Sequence, residues 1–291
     1  MSDSFIVRGS TRLLGLLGYP VAHSLSPAMH NAVIARLGLD LVYVPLPVAP
    51  TDLAVALAGL RRSGFIGFNV TIPHKQAVLS LLDGLTSEAE RAGAVNTIRQ
   101  EADGRLVGAN TDIAGFIAPI ADLPLQGHAT ILGCGGSALA VALGCAALGF
   151  ERIRVLGRDH DRLAAFEARL APMPAISVHP WEEQEALLAD TGLLVNTTPV
   201  GMAPSTAASP LAELSLLPPT ACVYDLIYRP RPTRLLQLAA AQGLRTVDGL
   251  PMLVAQAEAA FCFWTGLKPP DGLMLQAGEL ALGTGSDDAE R

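Results

Sequence analysis

Apolar residues fall along this chain in short runs, each stopped by glycine, proline or a polar cluster. Leu13 to Leu17 ends at Gly18-Tyr19-Pro20, Leu41 to Leu46 ends in prolines, and Ile66 to Ile72 stops at Pro73. Runs of this kind predict buried strands. Between them the spacing turns helical, from Pro27 to Leu37 before Gly38 and from Asp52 to Arg62 before Gly64. Ser26 ahead of Pro27 predicts a capped helix start. Val78 to Leu82 and Ser87 to Ala92 read as further helices. Ala94 to Ile98 and Arg105 to Gly108 read as strands paired across the Asp103-Gly104 turn, followed by a helix from Ile113 to Ile120.

The pattern then restarts. Strands are predicted at His128 to Leu132, Ile153 to Leu156, Leu193 to Asn196, Cys222 to Leu226 and Thr246 to Val247. Helices are predicted from Ala138 to Gly149 and from Met252 to Trp264. The proline-rich stretch from Ala203 to Pro219 reads as a long loop, and the polar tail from Gly283 to Arg291 is expected to fray. Alternation of strands with helices indicates an α/β fold with mainly parallel sheets. At 291 residues, two domains are expected, with a boundary near Asp112.

Composition narrows the function classes. Half of the residues are hydrophobic and only 5% are aromatic, so the core must be aliphatic. The net charge of −7, with no basic stripe, argues against nucleic acid or an anionic membrane as partner. The longest apolar run, Ala138 to Phe150, is too short to span a bilayer. The N-terminus MSDSFIVRGS lacks a secretory leader pattern. The four cysteines, Cys134, Cys145, Cys222 and Cys262, have no CxxC spacing and read as free thiols of a cytoplasmic protein. The histidines form no ligand spacing, so no metal site is expected.

Two stretches carry candidate chemistry. The first is Gly67-Phe68-Asn69-Val70-Thr71-Ile72-Pro73-His74-Lys75. The chain has two lysines, Lys75 and Lys268, against eighteen arginines. A lysine amine can exchange a proton, whereas an arginine keeps its own, so Lys75 is the candidate acid or base. The second is Gly133-Cys134-Gly135-Gly136-Ser137-Ala138, between a predicted strand and a predicted helix. Glycines there let the backbone approach a pyrophosphate, and the helix start binds it.

These motifs and several others resemble the shikimate dehydrogenase family over almost the whole length. Gly15-x2-Gly18-x-Pro20-x2-His23-Ser24-Leu25-Ser26-Pro27 looks like the family's substrate-carboxylate motif, and the Gly67 to Lys75 stretch looks like its catalytic-lysine motif. Gly93-Ala94-Val95-Asn96-Thr97 and Asn110-Thr111-Asp112 resemble further substrate segments. Asn196-Thr197-Thr198-Pro199-Val200-Gly201-Met202 and Tyr224-Asp225-x2-Tyr228-x-Pro230 resemble cofactor-domain segments. Gly249-x2-Met252-Leu253-Val254-Ala255-Gln256-Ala257 resembles the return helix.

The resemblance implies a substrate domain, residues 1–112 plus 249–291, and a Rossmann-type dinucleotide domain, residues 113–248. It implies reversible NADPH-dependent reduction of 3-dehydroshikimate to shikimate, on the route to chorismate and the aromatic amino acids. Lys75 and Asp112 are the implied catalytic pair. Ser24, Ser26, Asn69, Thr71, Asn96, Tyr228 and Gln256 join them as substrate residues. The physical reading agrees: Ser24 and Ser26 suit a carboxylate, and Asn69, Thr71, Asn96 and Gln256 suit a polyhydroxylated ring. Lys75 suits an oxygen that becomes an alkoxide as hydride arrives. The implied cofactor residues are Gly133, Gly135, Gly136, Ser137, Ala138, Arg158, Asp159, Arg162, Thr197, Thr198, Pro199 and Leu226, with Gly249 and Met252 near the nicotinamide. A small molecule is the implied partner, and both a monomer and a homodimer fit.

The sequence departs from the family pattern after the second Rossmann strand, at Gly157-Arg158-Asp159-His160-Asp161-Arg162. Gly157 and Asp159 replace the usual side chains, and Leu139 stands where many members have arginine. Arg158 and Arg162 favour NADP by offering a 2′-phosphate clamp. Asp159 is of the kind that holds a ribose hydroxyl in NAD sites. The alternative is therefore an NAD-using quinate/shikimate or aminoshikimate dehydrogenase. The paired serines favour shikimate over quinate, because quinate-using relatives tend to carry threonine at the second hydroxyl.

Overall fold

The structure is a computed structural model that describes residues 7–170 and 175–284. Residues 1–6, where no secretory leader was expected, and the part of the tail beyond residue 284 lie outside them. The chain divides into two compact units, Met1–Thr111 with Val254–Arg291, and Asp112–Leu253.

The first unit contains β1 (Arg12–Gly18), α1 (Ser26–Arg36), β2 (Leu41–Pro47), α2 (Leu53–Leu60) and β3 (Phe65–Val70). It continues with α3 (His74–Ala77), β4 (Gly84–Leu85), α4 (Ser87–Ala92), β5 (Thr97–Gln100) and β6 (Leu106–Ala109). Its sheet runs in the order β2-β1-β3-β5-β6-β4. The pairs β1–β2, β1–β3 and β4–β6 are parallel, while β5 pairs antiparallel with both β3 and β6. Leu17, Phe68, Val70, Val95 and Ile98 are buried in its aliphatic core.

Two elements differ from the sequence expectation where the site lies. β3 ends at Val70 rather than Ile72, because the chain turns at Thr71: His74 N–H donates to the Thr71 carbonyl at 2.9 Å. A strand was expected from Ala94, but the ladder begins at Thr97. Val95 N–H instead donates to the Lys75 carbonyl at 2.7 Å, and Asn96 N–H donates to Ala109. The helix expected from Val78 to Leu82 is a short 3₁₀ turn, Val78–Leu81, continuing from α3.

The second unit contains α5 (Asp112–Ile117), β7 (His128–Leu132), α6 (Ala138–Ala147), β8 (Ile153–Gly157), α7 (His160–Ala168) and β9 (Ile176–Pro180). It continues with α8 (Gln184–Leu188), β10 (Thr191–Asn196), β11 (Cys222–Asp225), α9 (Arg234–Ala241) and β12 (Arg245–Val247). Then follow α10 (Gly249–Thr265), along which the chain returns to the first unit, and α11 (Leu273–Thr284). The second sheet is parallel throughout, in the order β12-β11-β10-β7-β8-β9. Numbered from β7, this is the doubly wound dinucleotide order, with the direction of winding reversing between β7 and β10.

The periodicity did not reveal α7, α9, α11 and β9. α7 and α9 begin at side-chain caps, Asp159 and Thr233. The apolar face of α11 is defined by its packing on α1, distant in sequence. The four cysteines are free thiols. Among the described residues no acidic, His or Cys cluster suits a metal ion, and no helix is long and apolar enough to cross a membrane.

Candidate active site

In the first unit, the predicted substrate residues gather at the C-terminal ends of β1 and β3. Gly18 and Thr71 close the two strands, and a Cβ on Gly18 would overlap the Thr71 methyl. That close approach packs the Pro20 turn against the turn leading to Lys75. Lys75 is half-buried on α3, and its carbonyl is held by Val95 N–H. The adjacent His74 is buried, with Nε2 2.7 Å from the Val48 carbonyl. The backbone that carries the amine is thus anchored on two sides.

Ser26 does not cap α1, as the sequence suggested. It is the first helical residue, and its N–H donates to Ser24 Oγ at 3.2 Å. Ser24 is half-buried and Ser26 is buried. The Thr71 hydroxyl makes no hydrogen bond among the described residues, so it is available to a ligand. Asn69 is bound on both sides of its amide. Its Oδ1 accepts from the Tyr43 hydroxyl at 2.8 Å, and its Nδ2 donates to the Asn96 carbonyl and Thr97 Oγ1, both at 3.1 Å. Asn96 Nδ2 donates to Thr111 Oγ1 at 2.9 Å and reaches Gln256 Oε1 at 3.5 Å, while Asn96 Oδ1 accepts from Thr111 N–H at 2.8 Å. Asn69, Asn96 and Gln256 therefore form one buried polar group.

Tyr43 was not singled out by the sequence. Asn31 brackets its backbone through two 2.9 Å bonds, and its ring stacks on His30 with centroids 4.4 Å apart. His30 also faces Trp264 and Phe261, and neither ring nitrogen finds a hydrogen-bond partner. Burial pushes its imidazole down to about 3, against a weaker opposing pull from the Asn69 side chain. Burial likewise raises the Tyr43 phenol, offset in part by Ser26, so it stays a donor to Asn69.

A pH dependence follows from His30. The folded protein keeps it neutral, while the unfolded chain takes a proton below its ordinary value of 6.5. Stability is fully present above that value and is lost as pH falls toward about 3. The expected slope from this group is about 1.4 kcal/mol per pH unit. Urea unfolding at stepped pH should show a shallower decline for His30→Phe than for wild type. Equal slopes would mean that His30 is protonated in the fold.

In the second unit, Gly133 follows β7 with φ +102°, a left-handed conformation that favours glycine. A Cβ there would stand 2.8 Å from the Thr198 methyl and 3.0 Å from Thr197 Oγ1, so the turn crosses the winding switch between β7 and β10. Gly135 and Gly136 have open space where a Cβ would be. Ser137, at the start of α6, does not use its side chain as a cap. Open backbone at a helix start fits a dinucleotide pyrophosphate. Thr197 and Thr198 spend their hydroxyl protons within the protein, on the Leu132 carbonyl at 2.8 Å and on Asn196 Oδ1 at 2.7 Å. They can shape the pocket and accept hydrogen bonds.

Asp159, which the sequence set against the arginines, has local partners. Asp159 caps α7, its Oδ1 accepting from Asp161 and Arg162 N–H at 3.1 Å each. Its Oδ2 lies 3.3 Å from Arg162 Nε. Gly157 allows this arrangement, since a Cβ there would press on Leu163 and on Cys134 Sγ.

The remaining predicted residues lie on the borders of the second unit. Asp112 is buried at the start of α5. Leu226 N–H donates to the Asn196 carbonyl at 3.1 Å, and Gly249 N–H donates to the Ile227 carbonyl at 3.2 Å. Gly249 abuts the Leu226 carbonyl so closely that no Cβ would fit. Tyr228 is half-buried with its phenol raised by burial, and Met252 is 8% exposed on α10. Two further polar residues tie the second sheet together beside these positions. Asn196 and the fully buried Asp225 join the ends of β10 and β11 through a 3.0 Å bond. A polar residue ending each of two apolar runs was the available signal.

A six-stranded parallel sheet with a glycine turn at its winding switch, in a chain that also carries a separate polar α/β unit, defines a dinucleotide-dependent oxidoreductase. The profile described as "Shikimate dehydrogenase substrate binding domain" matches residues 16–98, and "Shikimate 5'-dehydrogenase C-terminal domain" matches residues 249–277. The chain belongs to the shikimate dehydrogenase family. It is 49% identical to "Shikimate dehydrogenase (NADP(+))" of Thermosynechococcus vestitus, over 96% of this chain and 98% of that one. Shikimate 5-dehydrogenase of Thermus thermophilus, solved with NADP(H) and shikimate, matches with TM-score 0.83 and 40% identity, covering 93% and 99% of the two chains. Quinate dehydrogenase of Corynebacterium glutamicum, solved with NAD, matches with TM-score 0.85 and 32% identity, covering 94% and 99%.

Proposed function

We propose that this chain is an NADP-dependent shikimate dehydrogenase that interconverts 3-dehydroshikimate and shikimate in the cytoplasm. The observation that carries the reading is the near-full-length likeness to the NADP-named relative, in a chain that retains both lysine and glycine-turn motifs. Residues 1–112 with 249–291 form the substrate half, and residues 113–248 the dinucleotide half. Ser24 and Ser26 hold the carboxylate of the ring, and Asn69, Thr71, Asn96, Tyr228 and Gln256 hold its hydroxyls. Gly133, Gly135, Gly136, Ser137 and Ala138 cradle the pyrophosphate, with Thr197, Thr198, Pro199, Leu226, Gly249 and Met252 around the rest of the dinucleotide. Arg158 and Arg162 take the 2′-phosphate.

The bound nicotinamide supplies the hydride. Lys75 and Asp112 are the proposed catalytic pair. The Lys75 ammonium stabilises the negative charge that develops on the ring oxygen and gives it a proton; in the reverse direction the amine takes that proton back. Thr71 and Asn69, on the same strand end, fix the ring beside the amine.

The test follows reduced-nicotinamide absorbance with shikimate or quinate and with NADP or NAD in turn. The highest kcat/KM is expected for shikimate with NADP, with residual activity on NAD. A higher kcat/KM for quinate with NAD would overturn the reading.

A further inference from the structure

We infer that Trp181 is a specificity-determining positioning residue, whose ring holds the Arg158 guanidinium ready for the 2′-phosphate of NADP. The inference rests on the cofactor reading above. β8 and β9 run parallel with Gly157 paired to Pro180, so Arg158 and Trp181 leave neighbouring strands side by side. The guanidinium carbon lies 4.5 Å from the centre of the Trp181 ring. Trp181 is half-buried and packs against the core that contains Leu156 and Leu188, so the platform is anchored from below.

Stacking occupies a face of the guanidinium and leaves the N–H donors along its edge free. Among the described residues no carboxylate pairs with Arg158. The nearest acid in sequence, Asp159, is engaged at the start of α7 and with Arg162. An incoming phosphate therefore meets an oriented, unpaired fork. A ribose hydroxyl would meet an Asp159 whose oxygens already have partners, the amides of α7 and the Arg162 side chain. Neither NADP nor NAD contacts the indole in this account; Trp181 acts through Arg158.

Calorimetric titration of the full-length protein with NADP+, NAD+ and 2′,5′-ADP tests the inference in Trp181→Ala and Trp181→Phe. Loss of the ring should raise the Kd for NADP+ and 2′,5′-ADP about threefold to tenfold, the range of one partly exposed cation–π contact. The Kd for NAD+ should move by less than about twofold, because NAD+ lacks the group that the contact serves. Trp181→Phe, which keeps an aromatic face and fills most of the space, should retain most of the preference. Arg158→Lys should reproduce the loss seen in Trp181→Ala, since an ammonium neither stacks flat nor forks. Equal weakening of both cofactors in Trp181→Ala would assign the ring to packing alone and overturn the inference, as would an unchanged preference. A wild type that binds NAD+ more tightly than NADP+ would instead overturn the underlying cofactor reading.

Discussion

Lys75→Ala should lower turnover about 10²–10⁴-fold, the usual worth of a positioned acid or base. The KM for shikimate should change far less, because the charge that Lys75 meets develops only as the ring oxygen becomes an alkoxide. The substitution should leave the fold intact: the lysine backbone is held by Val95, and the buried neighbour His74 anchors the turn through Val48. Lys75→Arg makes the sharper test. It keeps a positive charge but cannot release its proton, so it should restore little of the turnover. Steady-state kinetics in both reaction directions separates these outcomes. Near-native turnover in Lys75→Ala would remove the lysine from the chemistry.

Asp225→Ala should produce the largest loss of stability. The carboxylate is fully buried and accepts three hydrogen bonds, from Asn196 Nδ2 at 3.0 Å, Ile227 N–H at 3.1 Å and Thr233 Oγ1 at 2.7 Å. Burial nevertheless raises its pKa, the desolvation outweighing the donors. Alanine would leave all three donors without a partner, at on the order of 3 kcal/mol or more in total. The melting temperature should fall by roughly 5–10 °C for a chain of this size. Asp225→Asn should cost less. Its oxygen can take the Asn196 and Ile227 bonds, and its amide can donate to the Thr233 hydroxyl, which also accepts. An unperturbed melting temperature in the alanine variant would show that water replaces the carboxylate there.

The position of the candidate chemistry was legible because it coincides with breaks in a simple pattern. A strand followed by a proline and the first of two lysines marked Lys75, and glycines between an apolar strand and an apolar helix marked Gly133. Both features are local, written within ten residues, and the backbone carries them out wherever those residues sit. The supporting residues were not legible for the opposite reason. Tyr43 meets Asn31 and Asn69, and Trp264 meets His30, only because strands and helices apart in sequence fold together.

Asp159 shows the division most plainly. As a residue type it pointed toward a ribose, because a carboxylate after the second strand of such a fold can accept from hydroxyls. Whether its oxygens are free depends on where α7 begins, and α7 begins so that Asp159 receives two amide protons. The stacking of Arg158 likewise rests on the parallel register that sets Gly157 beside Pro180 and so brings up Trp181. By itself the sequence determined the α/β class and the aliphatic core, and it marked the candidate acid–base residue and the candidate phosphate turn, each a matter of residue type and spacing. Tertiary structure alone decided which polar groups are already bonded and which remain open to a ligand, because hydrogen bonds and stacked rings are settled between segments that spacing along the chain does not relate.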